Sequence, residues 1–223
     1  MTDTHSQPTV IFDLDGTLLN TISDLGKACN HALSVSAMPT HPVADYHRMV
    51  GNGFRKLIER AAPPATSPET LDCLTRLSRE YYDNHCMEST TPYPRIPELL
   101  EELQARGVKL AVASNKYQAA VDRIIRHYFP KIEFVSIEGQ RDDRPIKPDP
   151  TILKSIMADD ALSEARAIMV GDSTVDIETA RKAGIPSIAV TWGFSPQQEL
   201  VDAAPDHLVD SPSQILPIVM ESR

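Results

Sequence analysis

The chain is poor in several residue types that mark specialised protein classes. Cysteine occurs only three times, at Cys29, Cys73 and Cys86, and never with CxxC spacing. Such a set predicts neither a disulfide framework nor a zinc site, so we expect buried or inactive thiols in a reducing compartment. No apolar run approaches the roughly 18 residues that a membrane-spanning helix requires, and we therefore expect no membrane segment.

Basic residues are scarce relative to acidic ones. The 22 Lys and Arg residues against 31 Asp and Glu residues give a formal net charge of −9. Because an acidic surface repels nucleic acid and anionic lipid, neither is an expected partner, whereas a small anionic substrate can still bind at a locally positive site. The first residues, Met1–His5, contain neither the basic segment nor the apolar run of a secretory signal, so a cytoplasmic location is predicted.

Short apolar runs alternate with segments of helical periodicity along most of the chain. The runs that predict buried strands are Val10–Phe12, Val108–Ala113, Phe134–Ile137, Ala167–Val170 and Ser187–Val190. Helices are predicted over about Tyr117–His127, Pro150–Met157 and Val175–Ala183, and Gly184 would end the last of them as a left-handed cap. Strands separated by such helices predict parallel βαβ units, so the fold class is α/β with a doubly wound parallel sheet.

The stretch from about Thr21 to Thr90 breaks this alternation. It contains no convincing strand, and its apolar residues recur at helical spacing. Three prolines between Ala61 and Pro68 predict a loop between helices. We therefore predict a helical insert at 21–90 between the first two strands of the sheet, with residues 1–20 and 91–223 forming the α/β core.

Polar side chains follow several of the predicted strands. In an open parallel sheet, ligands bind beyond the carboxyl ends of the strands. The segments expected to meet there are Asp13-Leu14-Asp15-Gly16-Thr17-Leu18, Ser114-Asn115-Lys116, Lys147-Pro148-Asp149-Pro150 and Gly171-Asp172-Ser173-Thr174-Val175-Asp176. Each segment alone has an ordinary structural interpretation as a turn, a helix start or a surface lysine. Their convergence at one edge of the sheet favours a functional site.

The charges of this predicted site call for a cation. Asp13, Asp15, Asp172 and Asp176 would bring up to four negative charges together, and Lys147 supplies one positive charge. Carboxylates this close repel, and some would have to bind protons unless a cation intervened. Magnesium prefers oxygen ligands and is commonly held by one or two carboxylates. The chain has no HxxxH or cysteine cluster, which argues against zinc.

These motifs resemble the haloacid dehalogenase-like superfamily, and specifically its phosphatase branch. The resemblance rests on the four segments above, which occur in the family's order across positions 13 to 176. The tail Asp206-His207-Leu208-Val209-Asp210-Ser211-Pro212 also resembles family members. The family resemblance implies the α/β core predicted above, with the helical insert acting as a cap over the site. Asp15 favours phosphate chemistry over displacement of halide from carbon, which needs no proton donor for the leaving group.

The resemblance also implies a role for each matched residue. Asp13 would be the nucleophile that forms an aspartyl-phosphate. Asp15 would protonate the leaving alkoxide and then activate water. We also assign Asp15 as a ligand of the metal ion. Asp172 would ligate Mg²⁺ directly, whereas Asp176 would orient a metal-bound water or Lys147. The residues assigned to the phosphoryl group are Ser114, Asn115, Lys147 and Thr17.

Within the insert, the stretch from Val50 to Ala61 resembles the corresponding part of phosphoglycolate phosphatases. Gly51, Asn52, Gly53 and Arg55 would then form a substrate loop, with the following helix pointing N–H groups at an anion and Arg55 or Lys56 pairing with a carboxylate. A simple turn between helices with solvated charges explains the stretch equally well. Two residues depart from the family pattern: Asn20 stands where many relatives carry an acid, and Arg95 stands where glycine is usual.

The function expected from the resemblance is a Mg²⁺-dependent phosphatase for small phosphorylated metabolites, with 2-phosphoglycolate as a candidate substrate. Sugar-phosphate phosphatase, nucleotidase, pyrophosphatase and phosphomutase activities remain open, as does a non-catalytic module that binds a phosphorylated ligand. The seven histidines are scattered, and we treat them as structural or exposed. Trp192 and Phe194, just past the last predicted strand, are expected in the core.

Overall fold

A six-stranded parallel sheet in the order β5-β4-β1-β6-β7-β8 organises the larger part of the chain. The computed structural model describes residues 7–158 and 166–221, so Met1–His5 lies outside the described residues. The strands are β1 (Thr9–Phe12), β2 (Leu19–Asn20), β3 (Thr91–Pro92), β4 (Lys109–Tyr117), β5 (Phe134–Gln140), β6 (Ala167–Gly171), β7 (Ser187–Val190) and β8 (His207–Val209). The predicted α/β class with a parallel sheet is confirmed.

Helices cover both faces of this sheet and build the insert. They are α1 (Ile22–Val35), α2 (Gly53–Ala61), α3 (Pro68–His85), α4 (Ile96–Ala105), α5 (Gln118–Tyr128), α6 (Thr151–Met157), α7 (Thr174–Ala183), α8 (Gln197–Asp202) and α9 (Ile215–Glu221). Short 3₁₀ helices lie at Val43–Arg48 and Pro212–Gln214. Among the helices of the described residues, none is long and apolar enough to cross a bilayer.

The apolar sequence of strand β1 follows from the burial of both of its faces. Val10 and Phe12 belong to the core on one side, together with α4, α5 and the insert, whereas Ile11 packs on the other side with α6 and α7. All four residues of β1 are buried. A central parallel strand is covered on both faces, so an unbroken apolar run that ends in a polar residue is the pattern that places Asp13 at the sheet edge.

The helical insert consists of α1, α2 and α3 and is joined to the core through a small antiparallel pair, β2 with β3. Asp24, buried near the start of α1, accepts hydrogen bonds from the main-chain N–H of Ser89 at 2.9 Å and of Thr90 at 2.8 Å. This carboxylate therefore ties together the two chain segments that enter and leave the insert. The helical insert is confirmed, and the exact boundaries 1–20, 21–90 and 91–223 remain our proposal.

Three local features refine the expectations from sequence. Gly184 ends α7 in the left-handed conformation, with φ 76°, as predicted. Arg95 also adopts a left-handed conformation, with φ 69°, immediately before α4, which accounts for the preference for glycine there. The short strands β2, β3 and β8 were not predicted, because two or three residues are too few to show a strand period.

Candidate active site

The predicted motifs meet at the carboxyl ends of β1, β4 and β6. Asp13 directly follows β1, and its main-chain N–H donates to the carbonyl oxygen of Val170 in β6 at 2.9 Å. Asp172 directly follows β6. Ser114 lies inside β4, which extends to Tyr117 instead of ending at Ala113 as predicted. Parallel pairing therefore brings together side chains that are far apart in sequence.

Lys147 lies at the centre of this group and is 2% exposed. Its Nζ donates to Asp13 Oδ1 at 2.9 Å, to Asp176 Oδ1 at 2.7 Å and to the carbonyl oxygen of Ala113 at 2.7 Å. Asp176 also accepts from the main-chain N–H and the hydroxyl of Ser173 at the start of α7. Asp176 was predicted to orient either a metal-bound water or Lys147, and its contact with the Lys147 ammonium group favours the second role.

The transfer centre, which we define as Asp13, Lys147, Asp172 and Asp176, carries more negative than positive charge in a buried place. Burial raises the pKa of Asp13 to about 7, against the lowering effect of Lys147. Burial, followed by repulsion from Asp176 and Asp13, raises the pKa of Asp172 well above its ordinary value. Burial lowers the pKa of Lys147, but Asp13 and Asp176 raise it more, so this side chain stays charged.

This charge excess fits a bound cation. Asp13, Asp172 and Asp176 each offer one carboxylate oxygen, and these oxygens lie within 4.8 Å of one another. An all-oxygen donor set suits a hard divalent ion, whose charge would remove the repulsion that raises the carboxyl pKa values. The cluster could therefore hold a metal ion. The carboxylate of Asp15, which was also assigned to the metal, points elsewhere.

Asp172 is held from two sides by the surrounding loops. The main-chain N–H of Phe194 donates to its Oδ2 at 2.7 Å, and the Thr17 hydroxyl approaches its Oδ1 at 3.4 Å. Gly16, at φ 89°, packs so closely that a Cβ atom there would overlap the Asp172 carboxyl group. Thr17, which was assigned to phosphate, is fully buried and contacts Asp172 instead of lining the pocket.

Asp15 belongs to a second buried group beside the transfer centre. Its carboxylate accepts from Lys116 Nζ at 2.9 Å and from the Thr21 hydroxyl at 2.7 Å. The Lys116 side chain is 1% exposed, and its Nζ lies 4.6 Å from the centroid of the Tyr82 ring in α3. We call Asp15, Lys116 and Thr21 the leaving-group side of the pocket.

Asn115 connects the core with the insert. Its side-chain N–H groups donate to the carbonyl oxygens of Gly51 and Lys147, both at 3.0 Å. Its side-chain oxygen accepts from the main-chain N–H of Lys147 at 2.8 Å. The side-chain amide of Asn115, which was assigned to phosphate, therefore holds the segment around Lys147 and the segment around Gly51 together. Asn115 also lines the pocket.

The predicted substrate loop divides between the pocket and the surface. Gly51 and Gly53 line the pocket, and a side chain at Gly53 would meet Gln140 at 2.8 Å. Asn52 accepts from Arg60 at 2.7 Å. Arg55 pairs with Glu59 at 3.3 Å and with Asp72, and it does not line the pocket. The loop geometry thus fits a close approach to a ligand, whereas Arg55 faces other residues of the insert.

A cavity of about 660 Å³ joins these groups. The transfer centre and Ser114 form one end, and apolar side chains of the insert form part of the wall: Leu25, Val50, Phe54 and Leu57. His47 also lines the cavity, edge-on to Phe194 with ring centroids 5.3 Å apart. His47 was expected to be structural or exposed, and that expectation missed its place in the pocket wall. Phe194 was expected in the core, where it is buried, and it also lines the pocket.

The three residues reach the pocket from different elements. Lys116 lies in β4 and was expected at this sheet edge with Ser114 and Asn115, but it received no role of its own. Phe194 follows β7, another strand of the core, whereas His47 comes from the short helix Val43–Arg48 of the insert. For His47 the sequence carries no signal of this placement.

The comparisons with known proteins agree with this site. The sequence model of the family described as haloacid dehalogenase-like hydrolase matches residues 10–190, and the chain therefore belongs to that family. It is 36% identical to a phosphoglycolate phosphatase from Mesorhizobium japonicum over 195 residues, 85% of each chain. It is 32% identical to one from Vibrio vulnificus over 219 residues, 96% of each chain.

A solved structure extends the match to three dimensions. The crystal structure of a predicted phosphoglycolate phosphatase from Haemophilus somnus has a TM-score of 0.87 at 27% identity, over 96% of this chain and 99% of that one. The chain is thus a hydrolase homologous to phosphoglycolate phosphatases, which are phosphoric monoester hydrolases. The predicted family membership and enzyme class are confirmed.

Proposed function

We propose that the chain is a Mg²⁺-dependent phosphatase that hydrolyses small phosphate monoesters through an aspartyl-phosphate on Asp13. The observation that carries this proposal is the buried contact between Asp13 and Lys147, which line a pocket together with Asp172. A carboxylate nucleophile, a fixed cation and a candidate metal site are the parts that phosphoryl transfer requires.

In the first step, an Asp13 carboxylate oxygen attacks phosphorus as the bond from phosphorus to the ester oxygen breaks. Lys147 holds Asp13 Oδ1, which leaves Oδ2 as the oxygen that we assign to the attack. The electron pair of the broken bond goes to the ester oxygen, which takes a proton from Asp15. Lys147 and the Ser114 hydroxyl would stabilise the charge that spreads over the phosphoryl oxygens.

In the second step, Asp15 removes a proton from water, and the water oxygen attacks phosphorus of the aspartyl-phosphate. This releases inorganic phosphate and regenerates the Asp13 carboxylate. Asp172 and Asp13 would hold Mg²⁺, which supplies charge neutralisation for the phosphoryl oxygens. The apolar wall from the insert would exclude bulk water from the intermediate.

The proposed physiological substrate is 2-phosphoglycolate. The names of the Mesorhizobium japonicum and Vibrio vulnificus relatives support it. An enzyme acting on such a metabolite needs neither nucleic acid nor membrane as a partner, and we propose that it works in the cytoplasm.

A phosphate-release screen tests this function. Wild-type protein with Mg²⁺ is offered 2-phosphoglycolate, sugar phosphates, nucleotides and pyrophosphate, and Asp13→Asn is the matched control. We expect 2-phosphoglycolate to be hydrolysed best, EDTA to remove the activity, and Asp13→Asn to lose on the order of 10⁴-fold or more.

Three results would contradict the proposal in different ways. Full activity in Asp13→Asn would remove the assigned nucleophile. Labelled phosphate moving between sugar positions without release would indicate a phosphomutase. Tight binding of one phosphorylated ligand with no turnover of any ester would indicate a non-catalytic module.

A further inference from the structure

The pocket contains a second buried lysine that the phosphoryl-transfer steps do not use. Lys116 lines the cavity with a side chain that is 1% exposed. Its ammonium group pairs with Asp15 at 2.9 Å and lies against the face of the Tyr82 ring. A buried cation costs desolvation free energy unless an anion compensates it, so the position favours an anionic partner at all times.

The two lysines of the pocket differ in what they can offer a ligand. Lys147 already donates to two carboxylates and a carbonyl oxygen within the transfer centre. Lys116 pairs with one carboxylate, that of Asp15, which keeps a second partner in the Thr21 hydroxyl. An incoming anion could therefore take the place of Asp15 at Lys116 while Asp15 remains hydrogen-bonded to Thr21.

The other basic side chains near the substrate loop are engaged elsewhere. Arg55 pairs with Glu59 and Asp72, Lys56 pairs with Glu59, and Arg60 donates to the carbonyl oxygens of Met49 and Val50. None of these three lines the cavity within the part of the chain that the structure describes. The expectation that Arg55 or Lys56 meets a substrate carboxylate thus has less support than Lys116.

We propose that Lys116 is the specificity-determining residue of this pocket and binds a carboxylate carried by the leaving group of the substrate. The inference rests on the proposed function and deepens it. Asp15 is assigned to the ester oxygen, and Lys116 lies within hydrogen-bond distance of Asp15. In 2-phosphoglycolate the carboxyl carbon is two covalent bonds from the ester oxygen, which brings that carboxylate within reach of the same ammonium group.

The surroundings of Lys116 fit a small carboxylate. The N-terminus of α2 at Gly53 lines the same cavity, where its free N–H groups and helix dipole favour negative charge. Leu25, Phe54 and Leu57 supply the neighbouring apolar wall. A neutral leaving group of the same size would fit this space but would leave Lys116 with no new partner.

A matched pair of substrates isolates the carboxylate. 2-Hydroxyethyl phosphate has the same ester linkage and chain length as 2-phosphoglycolate but carries a hydroxyl group in place of the carboxylate. We expect Lys116→Met to lower kcat/KM for 2-phosphoglycolate about 100-fold or more, and to change kcat/KM for 2-hydroxyethyl phosphate only a few-fold. Retained turnover of 2-hydroxyethyl phosphate, whose leaving group is uncharged, also shows that the variant is folded.

Three further variants define what the result means. Lys116→Arg keeps the charge and should recover part of the preference for 2-phosphoglycolate. Arg55→Met tests the competing cation and should leave the preference unchanged, as should the surface control Lys182→Met, which removes an exposed pair with Glu178. An equal loss on both esters in Lys116→Met would overturn the proposal, because it would reduce Lys116 to a residue that positions Asp15.

A binding measurement separates this inference from the proposed function. Calorimetry with Mg²⁺ on Asp13→Asn protein, with and without Lys116→Met, compares the affinities of the two esters. If Lys116→Met lowers the affinity for 2-phosphoglycolate at least tenfold and leaves that for 2-hydroxyethyl phosphate unchanged, the carboxylate site is supported. This conclusion would stand even if wild-type protein hydrolysed neither ester. That absence of hydrolysis would overturn only the proposed phosphatase activity. Equal affinities in the presence and absence of Lys116 would overturn the carboxylate site while leaving the phosphatase intact.

Discussion

The transfer centre and the leaving-group side lie next to each other but are held in place by different parts of the molecule. Asp13, Asp172 and Lys147 are fixed by strand ends and loops of the core, and each is buried. Asp15 is 19% exposed at its side chain and depends on Thr21 at the hinge of the insert. The transfer centre is thus held by the sheet edge, whereas the position of Asp15 depends on how the insert docks.

Asn115 links the two regions. It bonds to the main chain of Lys147 on one side and to Gly51 of the insert on the other. Docking of the Gly51 loop therefore also affects the loop that carries Lys147. If the proposed roles hold, a change in the insert or at Lys116 should alter substrate preference while the transfer centre stays the same.

Among the changes that test this comparison, the largest effect should follow from Lys147→Met, which removes the lysine of the transfer centre. We expect kcat/KM to fall about 10³-fold on both 2-phosphoglycolate and 2-hydroxyethyl phosphate, because Lys147 acts on the phosphoryl group that the two esters share. Steady-state kinetics with Mg²⁺ measures this effect, and Lys182→Met serves as the charge control.

An equal loss of kcat/KM on the two esters would distinguish Lys147 from Lys116, for which a loss on 2-phosphoglycolate alone is expected. If Lys147→Met impaired only the ester that carries a carboxylate, the assignment of the two lysines to two regions of the pocket would be wrong.

A smaller effect is expected from pH in metal-free protein. Burial raises the pKa of Asp13 from 3.8 to about 7, so the folded state holds a proton that the unfolded chain releases. The stability from this neutral carboxyl is fully present below about pH 4 and is lost as pH rises through 7. Urea unfolding of EDTA-treated protein at pH 4 and pH 8 measures it against Asp13→Asn, which should show a flatter dependence.

Mg²⁺ should restore the stability mainly at the higher pH, because it binds the deprotonated carboxylates. A metal-free wild-type protein with the same pH dependence as Asp13→Asn would contradict the buried charge excess at the transfer centre. Stabilisation by Mg²⁺ that is equal at pH 5 and pH 8 would contradict it as well.

The smallest effect concerns Arg95, which lies between the hinge strand β3 and α4. Its left-handed conformation, at φ 69°, costs free energy that glycine would not incur. Arg95→Gly should therefore raise the free energy of unfolding by about 0.5–1 kcal/mol and leave kcat unchanged. Arg106→Gly is the matched control, because Arg106 has φ −89° and should lose stability.

A kcat that changes in Arg95→Gly would mean that the hinge conformation takes part in catalysis. The separation between a fixed transfer centre and a docked insert would then have to be revised.

The fold and the transfer centre could be predicted because both follow from local patterns. The apolar runs that end at Asp13 and at Asp172 mark parallel strands, and parallel strands place their carboxyl ends together. Lys147 could be placed there from its motif. Arg95 was noted as a departure from the glycine of the family, but its left-handed conformation was not predicted.

The remaining contacts depend on tertiary docking and were not visible in the sequence. The pairing of Lys116 with Asp15 spans 101 positions and needs the strand β4 to continue past Ala113. The bond from Asn115 to Gly51 needs the insert to close over the sheet edge. Main-chain donors, such as the N–H of Phe194 that holds Asp172, leave no trace in residue type.

The most direct test of the account is detection of the covalent intermediate. Wild-type protein is mixed with 2-phosphoglycolate and Mg²⁺, quenched in acid within one turnover, digested and analysed by mass spectrometry. The account predicts one added phosphoryl group on the peptide that contains Asp13, absent from Asp13→Asn and from samples treated with EDTA. Rapid phosphate release without any phosphorylated peptide, or with phosphate on a different residue, would contradict it.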